Sequence, residues 1–151
     1  MLCITKELEN NIEHIEYTGY KKEDIIFFDI ETTGFSPETT ILYMIGCIYY
    51  QQNRLTCTQW FSDSKDAQKD VLVAFMEFID KYKLLVCYNG LGFDIPYLQK
   101  KCRMYGLAFS IEQMAVLDIY KQLQPYRSIL HTPNLKQKSI ETFLGINRED
   151  K

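Results

Sequence analysis

Acidic side chains directly follow an apolar segment, at a place where a buried core would be expected to continue. Asp29 and Glu31 lie two residues apart after the run 25–28, within the stretch FFDIETTG. On a β-strand, residues two apart share one face, so both carboxylates project to the same side. At a separation of about 4 Å and an effective dielectric constant near 20, they would repel each other by roughly 4 kcal/mol. Water, a basic side chain or a divalent cation must therefore compensate the pair.

The simplest explanation is that the strand ends at Phe28 and that both acids are solvated. On spacing alone, this explanation and a metal site are equally good, and a third converging acid is needed to favour the metal. Asp94, in YNGLGFDIPYL, is the candidate, since it follows a second apolar run at 84–88, and the carboxyl ends of neighbouring parallel strands lie together. Asp94 could instead be only a helix N-cap, with Pro96 in the first turn.

Three carboxylates at one sheet edge suit hard divalent cations, because Mg²⁺ and Mn²⁺ prefer oxygen ligands. Two such ions can bind a phosphodiester, where one activates water and the other stabilises the leaving oxygen. The sequence thus predicts phosphodiester hydrolysis, with Asp29, Glu31 and Asp94 as metal ligands and catalytic residues.

The elements that would position these acids follow from hydrophobic periodicity and turn residues. Strand-like runs and helical stripes alternate so that an antiparallel three-stranded meander lies beside parallel strands, flanked by helices. This order predicts an α/β domain over residues 24–151, preceded by an N-terminal arm or short amphipathic helix at 1–23. The expected elements are strands at 25–31, 41–50, 54–61 and 84–88, a four-turn helix around Val71–Tyr82, a helix from Asp94 to Gly106, a strand or helix within 114–124, a loop at 125–135, and a helix from Lys136 to Leu144.

Composition narrows the function classes. The 151 residues fit one domain, and 17 basic against 20 acidic residues give a net charge of −3. Such a chain does not hold nucleic acid by bulk positive charge, so an anionic substrate needs a local patch or bound cations. The five cysteines form no Cys-x-x-Cys pair. Cys47, Cys57 and Cys87 lie in apolar strand-like runs and predict buried thiols in a reducing compartment, neither a disulfide framework nor a zinc site. An acidic N-terminus and the lack of a long apolar run predict a cytoplasmic protein with no membrane association.

The pair FDIETTG and YNGLGFDIPYL resembles the first two motifs of the DEDD exonucleases, which adopt the ribonuclease-H-like fold. The likeness runs from about residue 25 to 148 and includes VLDIYKQL and KQKSIETFLGINRED. It is strongest to the YprB-like ribonuclease-H-like domains, and weaker to the proofreading domains of family B polymerases.

The resemblance implies a metal-dependent 3′–5′ exonuclease that uses two divalent cations, Mg²⁺ or Mn²⁺. Its partner would be nucleic acid, DNA or RNA, offered as a single-stranded 3′ end. By position, Asp29 and Glu31 match the acids of the first motif, and Asp94 matches the acid of the second. The residues expected to contact substrate are Thr32, Thr33, Asn89 and Phe93.

The last motif of that family is the point of departure, because it needs a fourth acid, an Asp four or five residues after a Tyr or His. Neither Tyr120 nor Tyr126 has an Asp at that spacing, and His131 is read as a solvent-facing loop residue. Asp118 is interpreted as structural or substrate-lining, and the acids at 149–150 as a solvated pair.

Two expectations follow from the missing acid. The chain would be truncated before the helix with the fourth acid, and would bind metal weakly and cut slowly or not at all. Alternatively, it would be a non-catalytic module that binds nucleic acid or protein on the same fold. Lys100, Lys101 and Arg103, after Asp94, would either steer a phosphate backbone or form a solvated helix face, which is the simpler reading.

Overall fold

A six-stranded mixed sheet forms the centre of the protein. The computed structural model describes residues 1–146. The strands are β1 (Leu2–Glu7), β2 (Ile25–Thr32), β3 (Leu42–Gln51), β4 (Arg54–Phe61), β5 (Leu84–Cys87) and β6 (Ala115–Asp118). Their order across the sheet is β1-β4-β3-β2-β5-β6. Strands β2, β3 and β4 pair antiparallel, whereas β5 and β6 run parallel to β2. The predicted meander beside parallel strands is confirmed.

Helices supply the main core on one face of this sheet. Strand β2 alternates, so that Ile26, Phe28 and Ile30 enter the core, while Ile25 and Phe27 belong to a second cluster on the opposite face. By the same alternation, Asp29 and Glu31 project on the side of Phe27, away from the main core. The helices are α1 (Gln68–Ile79), α2 (Asp94–Tyr105), α3 (Ile119–Leu123), α4 (Arg127–Leu130) and α5 (Gln137–Phe143).

The N-terminal segment contains an edge strand. Strand β1 pairs antiparallel with β4, from Leu2 opposite Phe61 to Glu7 opposite Thr56, and 3₁₀ turns follow at Ile15–Thr18 and Lys22–Asp24. The helix alternative for residues 1–23 is therefore wrong. Apolar residues at helical spacing were the signal for a helix, but pairing with a free sheet edge satisfies the backbone better than a short isolated helix would.

The region after α2 differs from its prediction in one respect. Residues 114–124 contain both expected elements, first β6 and then α3. The predicted loop at 125–135 is wrong in its first half, where a 3₁₀ turn, Gln124–Tyr126, leads into α4. Pro125 caused this error, yet a proline is well tolerated in the first turn of a helix.

The final helix, predicted at 136–144, is confirmed as Gln137–Phe143, and Gly145 follows with a φ of +73°. The predicted charge pair at Glu149 and Asp150 lies outside the described residues. Of the cysteines, Cys47 and Cys87 are buried as predicted, while Cys57 is half-buried. Within residues 1–146, no helix combines the length and apolar character needed to span a membrane.

Candidate active site

The structure brings Asp29 of β2 close to Asp94, the first residue of the helix that follows the adjacent parallel strand β5. Phe27 of β2 lies opposite Val86 of β5, so Asp29 stands just beyond the paired region. Asp94 begins α2 and is only 6% exposed. Burial first, and the charge of Asp29 second, raise the pKa of Asp94 from its ordinary 3.8 to about 7, although the backbone N–H groups of Asp94 and Ile30 favour the charged form. The Asp94 carboxylate thus lies against the backbone of Ile30, the residue after Asp29, within reach of the Asp29 charge.

Glu31 shares the sheet face of Asp29, but its side chain reaches toward β3. Its carboxylate accepts a hydrogen bond from the hydroxyl of Tyr43 at 3.2 Å. Within the described residues, no three His, Cys, Asp or Glu side chains are grouped closely enough to hold a metal ion. Of the three predicted ligands, two thus converge, and the third lies nearby in another orientation. The donors are all carboxylate oxygens, which fits Mg²⁺ or Mn²⁺ rather than softer metals.

The turn after β5 aims Asp94. Asn89 has a left-handed φ of +59°, and its carbonyl oxygen accepts hydrogen bonds from the N–H groups of Gly92 and Phe93. A Cβ at Gly90 would lie 2.5 Å from the Cys87 Sγ atom, and one at Gly92 would lie 2.6 Å from the Asn89 Oδ1 atom. Gly90 is therefore required by close approach to the buried Cys87, whereas a side chain at Gly92 would only displace the end of the exposed Asn89 side chain.

Asp118 holds the same turn from the neighbouring strand. It ends β6 and is 2% exposed. Its carboxylate accepts hydrogen bonds from the N–H groups of Asn89 at 2.8 Å, Leu91 at 3.0 Å and Tyr120 at 3.1 Å. The structural reading of Asp118 is confirmed, since it fixes the turn before Asp94 and caps α3. Only its position after a strand-like run was visible in the sequence.

The loop from β2 to β3 follows the strand that carries Asp29 and Glu31. The Thr32 hydroxyl donates to the Gly34 carbonyl at 2.8 Å, and the Thr33 hydroxyl accepts from the Ile41 N–H at 2.9 Å. Both predicted substrate residues thus shape this loop through their side chains. Any contact they make with a substrate remains a prediction, as it does for the exposed Asn89.

An aromatic pair forms where the β2–β3 loop meets the residue before Asp94. Phe35, at the loop tip, is 89% exposed, and its ring meets Phe93 edge-on at a centroid distance of 5.8 Å. Phe93 precedes Asp94 directly. The sequence analysis singled out Phe93 but missed Phe35, whose only signal was an aromatic residue placed between Gly34 and Ser36-Pro37 in an otherwise polar loop.

The basic residues of α2 differ from one another. Lys100 is partly exposed and forms an ion pair with Glu38 at 3.0 Å. Lys101 is 2% exposed and donates to the Thr40 carbonyl at 2.7 Å, so neither phosphate steering nor a solvated face describes it. His131 is exposed at the C-terminal end of α4, as predicted.

Comparison with known proteins identifies the fold family. A family model described as RNase H superfamily matches residues 26–151. The chain belongs to the RNase H superfamily. The predicted ribonuclease-H-like fold is confirmed.

The matches with individual proteins cover most of this RNase H superfamily chain, but the chain spans less than half of the length of each of those proteins. The uncharacterized protein YprB of Bacillus subtilis is 27% identical over 100 residues, which are 65% of this chain and 24% of YprB. The PolC-type DNA polymerase III of Ureaplasma parvum is 22% identical over 151 residues, covering 82% of this chain and 10% of the polymerase. A zinc-bound complex of Escherichia coli exonuclease I with single-stranded DNA superposes with a TM-score of 0.62 at 14% identity, covering 83% of this chain and 36% of the enzyme.

Proposed function

We propose that this domain is a divalent-metal-dependent 3′–5′ exonuclease that hydrolyses phosphodiesters of single-stranded nucleic acid. The observation that carries the proposal is the pairing of Asp94, buried at the start of α2, with Asp29, which lies in β2 just beyond the stretch that pairs with β5. Two interacting carboxylates at such a position are costly unless something positive joins them. The similarity to an exonuclease fold and to polymerase chains that contain such a domain supports the same reading.

In this proposal, Asp29, Glu31 and Asp94 hold the metal ions. Bound divalent ions would supply an activated water and neutralise charge on the leaving oxygen. The protein contributes rigid placement, because Asp118 fixes the turn that carries Asp94 by accepting three backbone N–H groups. Glu31 has two carboxylate oxygens, and one of them accepts the Tyr43 hydrogen bond, so the other is the oxygen that would bind an ion.

Phe35 and Phe93 give the site an apolar surface for a nucleobase. Base–aromatic stacking does not depend on sequence, which suits an enzyme that removes successive nucleotides. It also suits a chain with a net charge of −3, which lacks the bulk positive charge of proteins that grip the phosphate backbone. The single-stranded DNA in the exonuclease I complex supports the same class of substrate.

Cleavage by the 151-residue chain is the direct test. With Mn²⁺ and a 5′-labelled single-stranded oligonucleotide, we expect a ladder of products shortened from the 3′ end. Cleavage should be slow, because no Tyr or His with an Asp at the family's spacing was found for the last motif. Asp29→Asn should abolish cleavage while the protein stays folded, and Asp70→Asn, on the exposed face of α1, should keep wild-type cleavage. Equal cleavage by wild type and Asp29→Asn would refute the assignment.

Thermal stability in Mn²⁺ separates the enzyme from the alternative binding module. A ligand that binds only the folded state at 100 times its Kd stabilises it by about 2.7 kcal/mol. We therefore expect Mn²⁺ to raise the Tm of wild type and of Asp70→Asn, and to leave the Tm of Asp94→Ala unchanged. If oligonucleotide binds but Mn²⁺ changes no Tm and nothing is cleaved, the non-catalytic module is the better description.

A further inference from the structure

Helix α2 holds the loop between β2 and β3 through two buried side chains that meet at Thr40, and through the exposed ion pair of Lys100 with Glu38. The Lys101 ammonium donates to the Thr40 carbonyl at 2.7 Å. The Tyr97 hydroxyl lies 2.9 Å from the Thr40 hydroxyl. Both α2 side chains are only 2% exposed. Two buried polar groups from one helix turn therefore converge on one loop residue.

The Thr40 side chain in turn hydrogen-bonds to the loop tip. Its hydroxyl lies 2.6 Å from the Ser36 carbonyl and 3.2 Å from the Gly34 carbonyl. Because a hydroxyl carries one proton, the shorter distance assigns that proton to Ser36, and the Tyr97 hydroxyl then donates to Thr40. The hydrogen bonds thus run in one direction, from α2 through Thr40 to Ser36.

The Thr40 methyl group also fixes the loop tip, by packing against Gly34. A Cβ at Gly34 would lie 2.8 Å from the Thr40 Cγ2 methyl, so the methyl rests on the bare backbone of Gly34. Phe35 is the next residue, and its ring meets Phe93. The position of Phe35 is therefore set by four residues, called here the Thr40 latch: Lys101, Tyr97, Thr40 and Gly34.

Lys101 is an unusual choice if stability were its only role. Its ammonium group donates to a neutral carbonyl and lies 5.8 Å from the centre of the Tyr97 ring, and two such contacts return less free energy than removing an ammonium group from water costs. An apolar side chain of similar length would fill the same space without that cost. The lysine is better explained by the position that it imposes on the loop.

We propose that Lys101 is a positioning residue that acts through Thr40. It holds residues 33–41 so that Phe35 stands against Phe93 beside Asp94, and it thereby sets the affinity for the terminal base of a single-stranded oligonucleotide. The inference rests on the proposed function, since it assumes that a nucleobase occupies this aromatic pair.

A double-mutant cycle between Lys101 and Phe35 tests the proposal. The dissociation constant of a fluorescent single-stranded oligonucleotide is measured without divalent cations, so that no cleavage occurs. Lys101→Met should raise this constant about tenfold. In a Phe35→Ala background the same change should raise it less than twofold, because the loop then has no aromatic ring to place. Lys69→Met removes an exposed lysine from α1 and should leave the constant unchanged.

Amide hydrogen exchange gives a readout that needs no nucleic acid. The N–H groups of Thr33, Thr39 and Thr40 donate to carbonyls within this loop. We expect Lys101→Met to speed their exchange at least tenfold, while the amides of α1 keep wild-type rates. Tyr97→Phe removes one hydroxyl and keeps the ring, so it should produce a smaller change of the same kind in a well-folded protein.

The outcomes that overturn the proposal are distinct. An equal penalty from Lys101→Met with and without Phe35 would show that the lysine does not act through the loop tip. If Lys101→Met loosens the whole protein, the Tyr97→Phe variant decides the question. Unchanged loop exchange and unchanged oligonucleotide affinity in Tyr97→Phe would then show that the Thr40 latch is ordinary packing and does not position Phe35. Wild-type protein that binds no oligonucleotide without divalent cations and neither binds nor cleaves it with Mn²⁺ would refute the proposed function itself, whereas wild-type binding that Lys101→Met leaves intact would refute the latch alone.

Discussion

Asp94→Asn should stabilise the metal-free protein, and the gain should grow with pH. An acid whose pKa is raised on folding is bound to its proton more tightly in the folded state than in the unfolded state. The Asp94 carboxyl, with a pKa of about 7 in the fold against an ordinary 3.8, therefore favours folding at low pH. It loses that contribution as pH rises through 7. Between pH 3.8 and about 7, this group lowers the free energy of unfolding by about 1.4 kcal/mol per pH unit.

Between pH 5 and pH 8, the linkage relation gives a loss of about 2.5 kcal/mol from this one group. Asparagine keeps the shape of the side chain but cannot ionise. The free energy of unfolding of Asp94→Asn, minus that of wild type, should therefore grow by about 2.5 kcal/mol over the same range. Urea unfolding followed by tryptophan fluorescence measures it, because Trp60 lies in the main core.

The matched control is Asp70→Asn, which removes an exposed acid from α1 and should follow the wild-type pH profile. Asp29→Asn should reproduce part of the Asp94→Asn effect, since Asp29 is the second cause of the raised pKa. Parallel profiles for wild type and Asp94→Asn would refute the reasoning, because they would mean that Asp94 is solvated and does not face a second charge.

Two further predictions concern the turn that carries Asp94. Gly90→Ala would place a methyl 2.5 Å from the Cys87 Sγ atom and 2.7 Å from its Cβ atom, so we expect a loss of about 1–3 kcal/mol in urea unfolding; a change below about 0.5 kcal/mol would mean that the turn relaxes freely. Asp118→Ala would leave three backbone N–H groups without their acceptor, at a cost on the order of 3 kcal/mol, and should speed exchange of the Leu91 amide. Unchanged exchange there would show that Asp118 does not hold the turn.

The sequence predicted the central sheet well because its signals are local and strong. The runs that became β2, β3, β4 and β5 are dense in β-branched and aromatic residues and are bounded by turn residues, so periodicity and composition agree. Helix α2 carried its own boundaries, since Asp94 opens it and Gly106 ends it with a φ of +66°. Where local propensity and tertiary pairing agree, reading the pattern is sufficient.

The N-terminal strand and Phe35 were missed for a different reason. Strand β1 exists because β4 offers a free edge, and nothing within residues 1–23 reports that edge. Phe35 becomes notable only when the loop has been folded back by Thr40 and the ring has been placed against Phe93. Both features depend on partners far away in sequence, and an isolated pattern cannot contain them.

Glu31 shows how far the site itself could be predicted. The period of two along β2 correctly placed it on the face of Asp29, because backbone geometry fixes that face. The direction of its side chain depends on Tyr43, across the strand pair, which offers a hydroxyl donor. A sequence can therefore specify which acids share a face, whereas their final convergence depends on neighbours that compete for them. The same Mn²⁺ measurement on Tyr43→Phe tests this dependence, because a larger rise in Tm than in wild type would show that the Tyr43 hydroxyl holds Glu31 away from the cation.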